Sequence, residues 1–278
     1  MRLTVQHTTR YKYESPIANA MQQLRLTPPN NQAQKIVDWT IDAPGILRST
    51  TYRDAFGNLV HMVSTQEVID DVEITAHGTL DVVDTNGVTG RDKYAPPRRI
   101  YTRITPLTKP NQAIRRLGSI AEKQDQIPAF HELMHSIREK VAYKTGVTET
   151  HETAASALAA GEGVCQDHAH IFIAAARSIG VPARYVSGYM LLEDEQVAEA
   201  HHAWAEVFIE DLGWVAFDIS NEICPTDRYI RLTTGLDSRS AAPIRGIRFG
   251  GREENLDVEV NVAQGAMQQQ QQQQSLNS

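Results

Sequence analysis

From Arg2 to about Asp84 the chain alternates apolar and polar residues with a period of two. Leu3, Val5, His7, Thr9, Tyr11 and Tyr13 carry one phase, and similar runs recur at "QKIVDWTID", "NLVHMVSTQEV" and "VEITAHGTLDVVD". The spacing predicts a mostly antiparallel β domain over residues 1–95, sandwich-like rather than a closed barrel. Asp, Asn and Gly stand where tight turns need them, at "DAPG", "DAFGN" and "TNG". Residues 96–111 interrupt the alternation with prolines and read as an interdomain linker. Beyond them the period changes to 3.6: "AIRRLGSIAEKQ" and "AFHELMHSIREKVAY" are helical, a short Ala-rich helix covers 152–160, and strand patterns return at "HAWAEVFI", "WVAFDI" and "NLDVEVNV". The last of these is expected to close a second domain spanning 112–263. The tail, 264–278, contains seven consecutive glutamines and is expected to be disordered.

Composition narrows the possible functions. The 278 residues are 41% hydrophobic and 22% charged, enough apolar material for a substantial core. A net charge of −7 disfavours nucleic acid and anionic membrane surfaces as partners. No apolar run approaches the ~20 residues of a membrane span, and the N-terminus lacks a signal-peptide block, so a cytoplasmic location is expected. With two cysteines, Cys165 and Cys224, and no C-x-x-C pair, a disulfide framework is excluded.

Cys165 lies in "GEGVCQDHAHIFIAAARSIGVP", where a glycine-rich turn meets a helical pattern. Ala169, Phe172, Ile173, Ala176 and Ile179 form one apolar face, and Gly180 and Pro182 end the helix. Cys165 sits on that face in the first turn, where its sulfur meets free N–H groups and the positive end of the helix dipole. Its own N–H is a natural oxyanion donor. A buried, inert thiol is the competing reading. A metal site is disfavoured at this stretch, because His168 and His170 are about 200° apart around the helix, and His201 and His202 face opposite sides of a strand. No metal or other cofactor is expected. Cys224, before a proline and without a neighbouring base, reads as structural.

A nucleophilic thiol needs a base and a group to orient it. "AHHAWAEVFIEDLGWVAFDIS" supplies both on an expected hairpin, with His202, Trp204, Glu206 and Phe208 on one face and Ala203, Ala205, Val207 and Ile209 on the other. An odd loop, such as Glu210 to Leu212, sets Ile209 opposite Gly213 and brings His202 diagonal to Asp218. An even loop would bring His201 there instead, so the hairpin alone leaves both open. Glu206 reads as structural.

"GVCQDHAH", "HHAWAEVF" and "GWVAFDISN" together resemble the bacterial transglutaminase-like superfamily, in its cysteine protease branch with a β-rich N-terminal domain; "YKYESPIANAMQQLRLTPP", "RDAFGNLV" and "AAPIRGIRFGG" extend the resemblance. It implies an α+β protein: an antiparallel β-sandwich-like domain, then a papain-like core whose catalytic helix packs on an antiparallel sheet. By motif, Cys165 matches the nucleophile, His202 the base and Asp218 the orienting acid, which selects His202 over His201. "DISNE" departs from the usual "DPTNG", and His168 replaces a more usual aromatic residue and is expected to modulate access. The implied activity is cysteine-dependent acyl transfer on a peptide or protein amide through a thioester, by hydrolysis or transamidation. Gln166, Trp204 and Tyr143 are candidates for the second oxyanion donor. A non-catalytic scaffold of the same fold is the alternative.

Overall fold

The computed structural model describes residues 1–65, 69–92, 94–122, 125–145, 152–192, 201–250 and 254–265. Most of the glutamine-rich tail lies outside them. The first sheet is built around an unusually long strand, β1 (Arg2–Leu24). Its neighbours are β2 (Gln34–Asp42), β3 (Thr50–Arg53), β4 (Leu59–Thr65) and β5 (Ile69–Val82), in the order β2-β5-β1-β4-β3. The period-two pattern explains the burial: Leu3 and Val5 on β1 and Val72, Ile74, Ala76, Leu80 and Val82 on β5 point into one core. Gly78 breaks the β5 series because Trp39 lies over it, and a Cβ there would come within 2.3 Å of the Asp38 carbonyl oxygen.

β1 pairs with β5 through its first half and with β4 through its second, and the register shifts between Lys12 and Ile17. One strand therefore runs through two packed halves, a sandwich-like corner of the kind made by irregularities within strands. Its other edge is covered by the end of the chain. β13 (Ile244–Gly250) pairs with residues 17–24 and β14 (Glu254–Gln264) with residues 3–13. The expected final strand thus completes the N-terminal sheet, not the second unit to which 112–263 assigned it. Conversely β6 (Val88–Gly90), inside 1–95, pairs with β11 (Gly213–Phe217) of the second sheet. Local periodicity marks a strand but carries no address for its partner, which is why these exchanges were illegible.

Residues 96–111 are anchored rather than slack. Tyr101 is fully buried, edge-on to Trp214 with ring centroids 4.9 Å apart, and Thr108 accepts a hydrogen bond from the Arg177 guanidinium at 3.0 Å.

The second sheet runs β12 (Tyr229–Gly235), β9 (Ala183–Met190), β10 (His201–Ile209), β11 (Gly213–Phe217), β6. Among the described residues, four α-helices accompany it: α1 (Gln112–Gly118), α2 (Gln126–Lys140), α3 (Ala154–Ala160) and α4 (Cys165–Ser178). A two-residue parallel ladder joins β7 (Ala142–Tyr143) to β8 (Glu162–Gly163). The expected apolar stripe on α4 understates its position, since every residue from Asp167 to Arg177 is buried. The small face of β10 covers one side of α4, and the other three helices cover the rest. Tyr189, Ile230 and Leu232 join the core of the first sheet, so the second sheet is sandwiched between that sheet and the helices.

Candidate active site

The start of α4 is set by the residues just before it. Gly163 admits the Asp167 side chain at a distance no Cβ would tolerate, since an added Cβ would lie 2.8 Å from Oδ2. Asp167 then reaches back to accept the Val164 N–H at 2.9 Å, the reciprocal half of a capping box. This fixes the entry of the chain and leaves half-buried Cys165 as the first helical residue, with its N–H among the groups that have no partner inside the helix.

The β10–β11 hairpin adopts the odd loop. Ile209 pairs with Gly213 and Ala205 with Phe217, leaving residues 210–212 as the turn. The register extends to Trp204 opposite Asp218 and brings His202 within reach of the carboxylate: His202 Nε2 lies 2.7 Å from Asp218 Oδ2. His201 faces the other way and meets the Ser187 hydroxyl at 2.9 Å. The Cys165 side chain lies close enough to His202 to help hold a proton on its imidazole. With Nε2 taken by Asp218, the nitrogen left to face the sulfur is Nδ1. A helix start and a hairpin thus bring thiol, imidazole and carboxylate together, with the hydrogen bond between imidazole and carboxylate as their fixed link.

Burial shapes both ionisable ends of this chain. It disfavours charge on His202, yet the hydrogen bond to Asp218 and the neighbouring Cys165 outweigh it and hold the imidazole up at about 10. Burial likewise opposes charge on Asp218, but the bonds from His202, Asn221 and Tyr229 keep its carboxyl below the usual range. Oδ2 accepts from Asn221 Nδ2 at 2.7 Å and the Tyr229 hydroxyl at 2.8 Å, and Oδ1 accepts the Ser220 N–H at 3.1 Å. A fully buried carboxylate with this many donors is anionic and rigid.

His168 does not stand in the access path. It is fully buried and ties three elements together: its Nε2–H donates to the Val141 carbonyl oxygen at 3.0 Å, so its Nδ1 accepts from the Ser220 hydroxyl at 2.8 Å. His170, on a different wall, accepts the Ser238 N–H at 3.1 Å, and burial pushes it down to about 4. Among the three oxyanion candidates, Gln166 follows Cys165 on α4, Trp204 is buried with its ring centroid 6.3 Å from that of His202, and Tyr143 is exposed beside His168.

Tyr229 and Asn221 were missed by sequence reasoning, and no local pattern announces them. A further signal was present and passed over: "HELMH" sets His131 and His135 four apart on α2, a spacing that puts two imidazoles on one helical face. His131 Nε2 lies 3.8 Å from Cys224 Sγ, and His135 Nδ1 lies 2.8 Å from Glu222 Oε1. Among the described residues, no three His, Cys, Asp or Glu side chains are placed to hold one metal ion.

A cysteine at the start of a buried helix, facing a histidine and an aspartate on an antiparallel sheet, defines a papain-like α+β protein. Residues 115–219 match the transglutaminase-like superfamily and residues 3–81 match the bacterial transglutaminase-like N-terminal region. The chain belongs to the transglutaminase-like superfamily, in the bacterial branch that carries this N-terminal region. It is 28% identical over 275 residues to the uncharacterized protein ML0607 of Mycobacterium leprae, covering 94% of this chain and 98% of that one. It is equally identical over 302 residues to Rv2569c of Mycobacterium tuberculosis, covering 94% and 92%. A solved structure from Cytophaga hutchinsonii, named "Putative Cysteine Protease", shares the fold with a TM-score of 0.72 at 18% identity, over 96% of this chain and 92% of that one. Among the described residues, no helix is long and apolar enough to cross a membrane.

Proposed function

We propose that the protein is a thiol enzyme that transfers acyl groups from amide bonds, with Cys165 as nucleophile, His202 as acid and base, and Asp218 as the group that orients it. The observation that carries this reading is the His202 imidazole, hydrogen-bonded at 2.7 Å to the buried Asp218 and adjacent to the Cys165 side chain at the start of α4. The Cys165 thiol gives its proton to His202, and its sulfur attacks the amide carbonyl, forming the S–C bond while the carbonyl π pair moves onto oxygen. The Cys165 N–H holds that oxygen, with a second donor drawn from Gln166, Trp204 or Tyr143. Collapse of the intermediate breaks the C–N bond, and His202 gives its proton to the departing amine. Water or a primary amine then attacks the thioester, losing its proton to His202, and the sulfur leaves.

Hydrolysis of peptide or isopeptide-like amides is the favoured outcome, and the partition depends on how well the site excludes water. Mass spectrometry of a peptide and glutamine library incubated with the protein and a primary amine tests both. New termini indicate hydrolysis, ammonia release with amine incorporation indicates transamidation, and each is to vanish in Cys165→Ala. No difference between wild type and Cys165→Ala would leave a non-catalytic scaffold as the reading.

A further inference from the structure

Asp218 takes much of its hydrogen bonding from the turn that follows it. Its backbone N–H and carbonyl pair with those of Ile223, which closes residues 219–222 into a tight turn. Two residues inside that turn donate to the carboxylate: the Ser220 N–H reaches Oδ1 at 3.1 Å, and Asn221 Nδ2 reaches Oδ2 at 2.7 Å. Asn221 and Glu222 are exposed, so the far side of the turn has little packing of its own. The donors are therefore placed only as well as the Ser220 backbone is held.

Two side chains from outside the turn hold Ser220. His168 Nδ1 accepts from its hydroxyl at 2.8 Å, and Arg138 Nε donates to its carbonyl oxygen at 3.2 Å. Both holders are fixed in turn on the carbonyl oxygen of buried Val141, which accepts from His168 Nε2 at 3.0 Å and from Arg138 Nη1 at 3.3 Å. Burial lowers His168 and keeps its imidazole neutral, the form that donates at one nitrogen and accepts at the other. Of the charged groups near it, Arg138 and His202 oppose a further proton and Asp218 favours one, and the Tyr143 ring lies with its centroid 6.1 Å away.

His168 is three residues beyond Cys165, on the same side of α4. One rigid helix thus carries the thiol and grips the turn of the acid, which sets the gap that His202 has to span. The more usual aromatic residue at this position would fill the same volume without burying a polar ring, but it would cover Ser220 without accepting from it.

We propose that His168 and Arg138 are positioning residues for Asp218, acting through Ser220 to keep the carboxylate on His202. The inference rests on the reading of His202 and Asp218 as base and acid to Cys165, and its readout is independent of thiol reactivity.

That readout is the titration midpoint of the His202 ring, followed in carbon–proton correlation spectra of the full chain and assigned by its loss in His202→Ala. The wild-type midpoint is expected near 10. Ser220→Ala removes the hydroxyl and leaves the backbone donors, and it is expected to lower the midpoint by about one pH unit as the carboxylate drifts from the imidazole. Arg138→Leu, at a partly exposed position, is expected to lower it by about half a unit, and Ser220→Thr, which keeps a hydroxyl, to restore the wild-type value. The same fall on Ser220→Ala is expected in a Cys165→Ala background. A midpoint within about 0.2 units of the parent chain in Ser220→Ala or in Arg138→Leu, even with lowered thermal stability, would make the contacts merely structural and overturn the proposal. Arg138→Leu decides the matter if Ser220→Ala does not fold. Failure of the thiol reading is seen separately, as equal alkylation of Cys165 and Cys224 in the wild type.

Discussion

Among the described residues, two clusters bring a cysteine together with histidine and carboxylate, and they differ in whether the parts converge on one imidazole. At Cys165 a single imidazole lies between thiol and acid: His202 is hydrogen-bonded to Asp218 and adjacent to the sulfur. At Cys224 the parts are split between two imidazoles. His131 approaches the sulfur at 3.8 Å, while Glu222 is spent on His135, which is half exposed. The electrostatics diverge accordingly. Burial and then Asp84 push the Cys224 thiol up to about 11, and burial lowers His131, so no charged partner stabilises the thiolate there. Residue types in proximity do not make a nucleophile. What matters is that one base is shared by the thiol and a buried, fully hydrogen-bonded acid.

The largest test of this contrast is turnover. Cys165→Ala is expected to lower amide turnover by at least about 10³-fold, while Cys224→Ala changes it less than about twofold. An intermediate effect is expected in thiol labelling: iodoacetamide near neutral pH should alkylate Cys165 about tenfold or more faster than Cys224, and His202→Ala should abolish that difference. Peptide mapping by mass spectrometry reads both rates, and equal rates in the wild type would remove the contrast.

Tyr229→Phe probes the acid end. Deleting a donor to a buried carboxylate is expected to cost about 2 kcal/mol in denaturant unfolding. It also changes the pH dependence with a definite sign. The Asp218 carboxyl is lower in the folded than in the unfolded chain, so its contribution is present above the unfolded value, 3.8, and is lost as pH falls through the folded value. Removing the Tyr229 hydroxyl raises that folded value, and acid unfolding should begin at higher pH. At the alkaline end, His202 is raised from 6.5 to about 10, so its contribution is complete below pH 6.5 and is lost as pH climbs through about 10. His202→Ala should abolish that alkaline loss in a pH series of melting curves.

The smallest effect belongs to the second cluster. Glu222 has φ 57°, a left-handed conformation that suits glycine, at the place where the family's more usual "DPTNG" has glycine. Glu222→Gly relieves about 1 kcal/mol of backbone strain and gives up an exposed pair with His135 worth less than that. A net gain of about 0.5 kcal/mol in thermal unfolding is expected, with turnover unchanged.

Much of the fold was legible where the chain interacts with itself locally. The change from period two to period 3.6 marks the passage from the first sheet to the helices, and the glycine-rich turn before "VCQDHAH" marks the start of α4. The unread parts are long-range. Nothing in "NLDVEVNV" names β1 as its neighbour, and nothing near Asp218 names Tyr229, because both contacts are selected by packing between distant segments. "HELMH" shows the converse: its spacing is conspicuous in the sequence, yet the imidazoles take separate partners in the fold.

By itself, the sequence determined that a cysteine opens an apolar helix and that a histidine and an aspartate lie on a hairpin whose loop parity admits only His201 or His202. These follow from backbone periods of 3.6 and 2, which act over a few residues and need no tertiary contact. The tertiary structure decided the rest: the three-residue turn that put His202 beside Asp218, the Asn221 and Tyr229 donors that keep that carboxylate charged, and the packing of α4 that delivers Cys165 to the imidazole. Those outcomes depend on burial and on pairing between separated segments, where the free energy of a buried charge is fixed by every group around it and not by its neighbours in the chain.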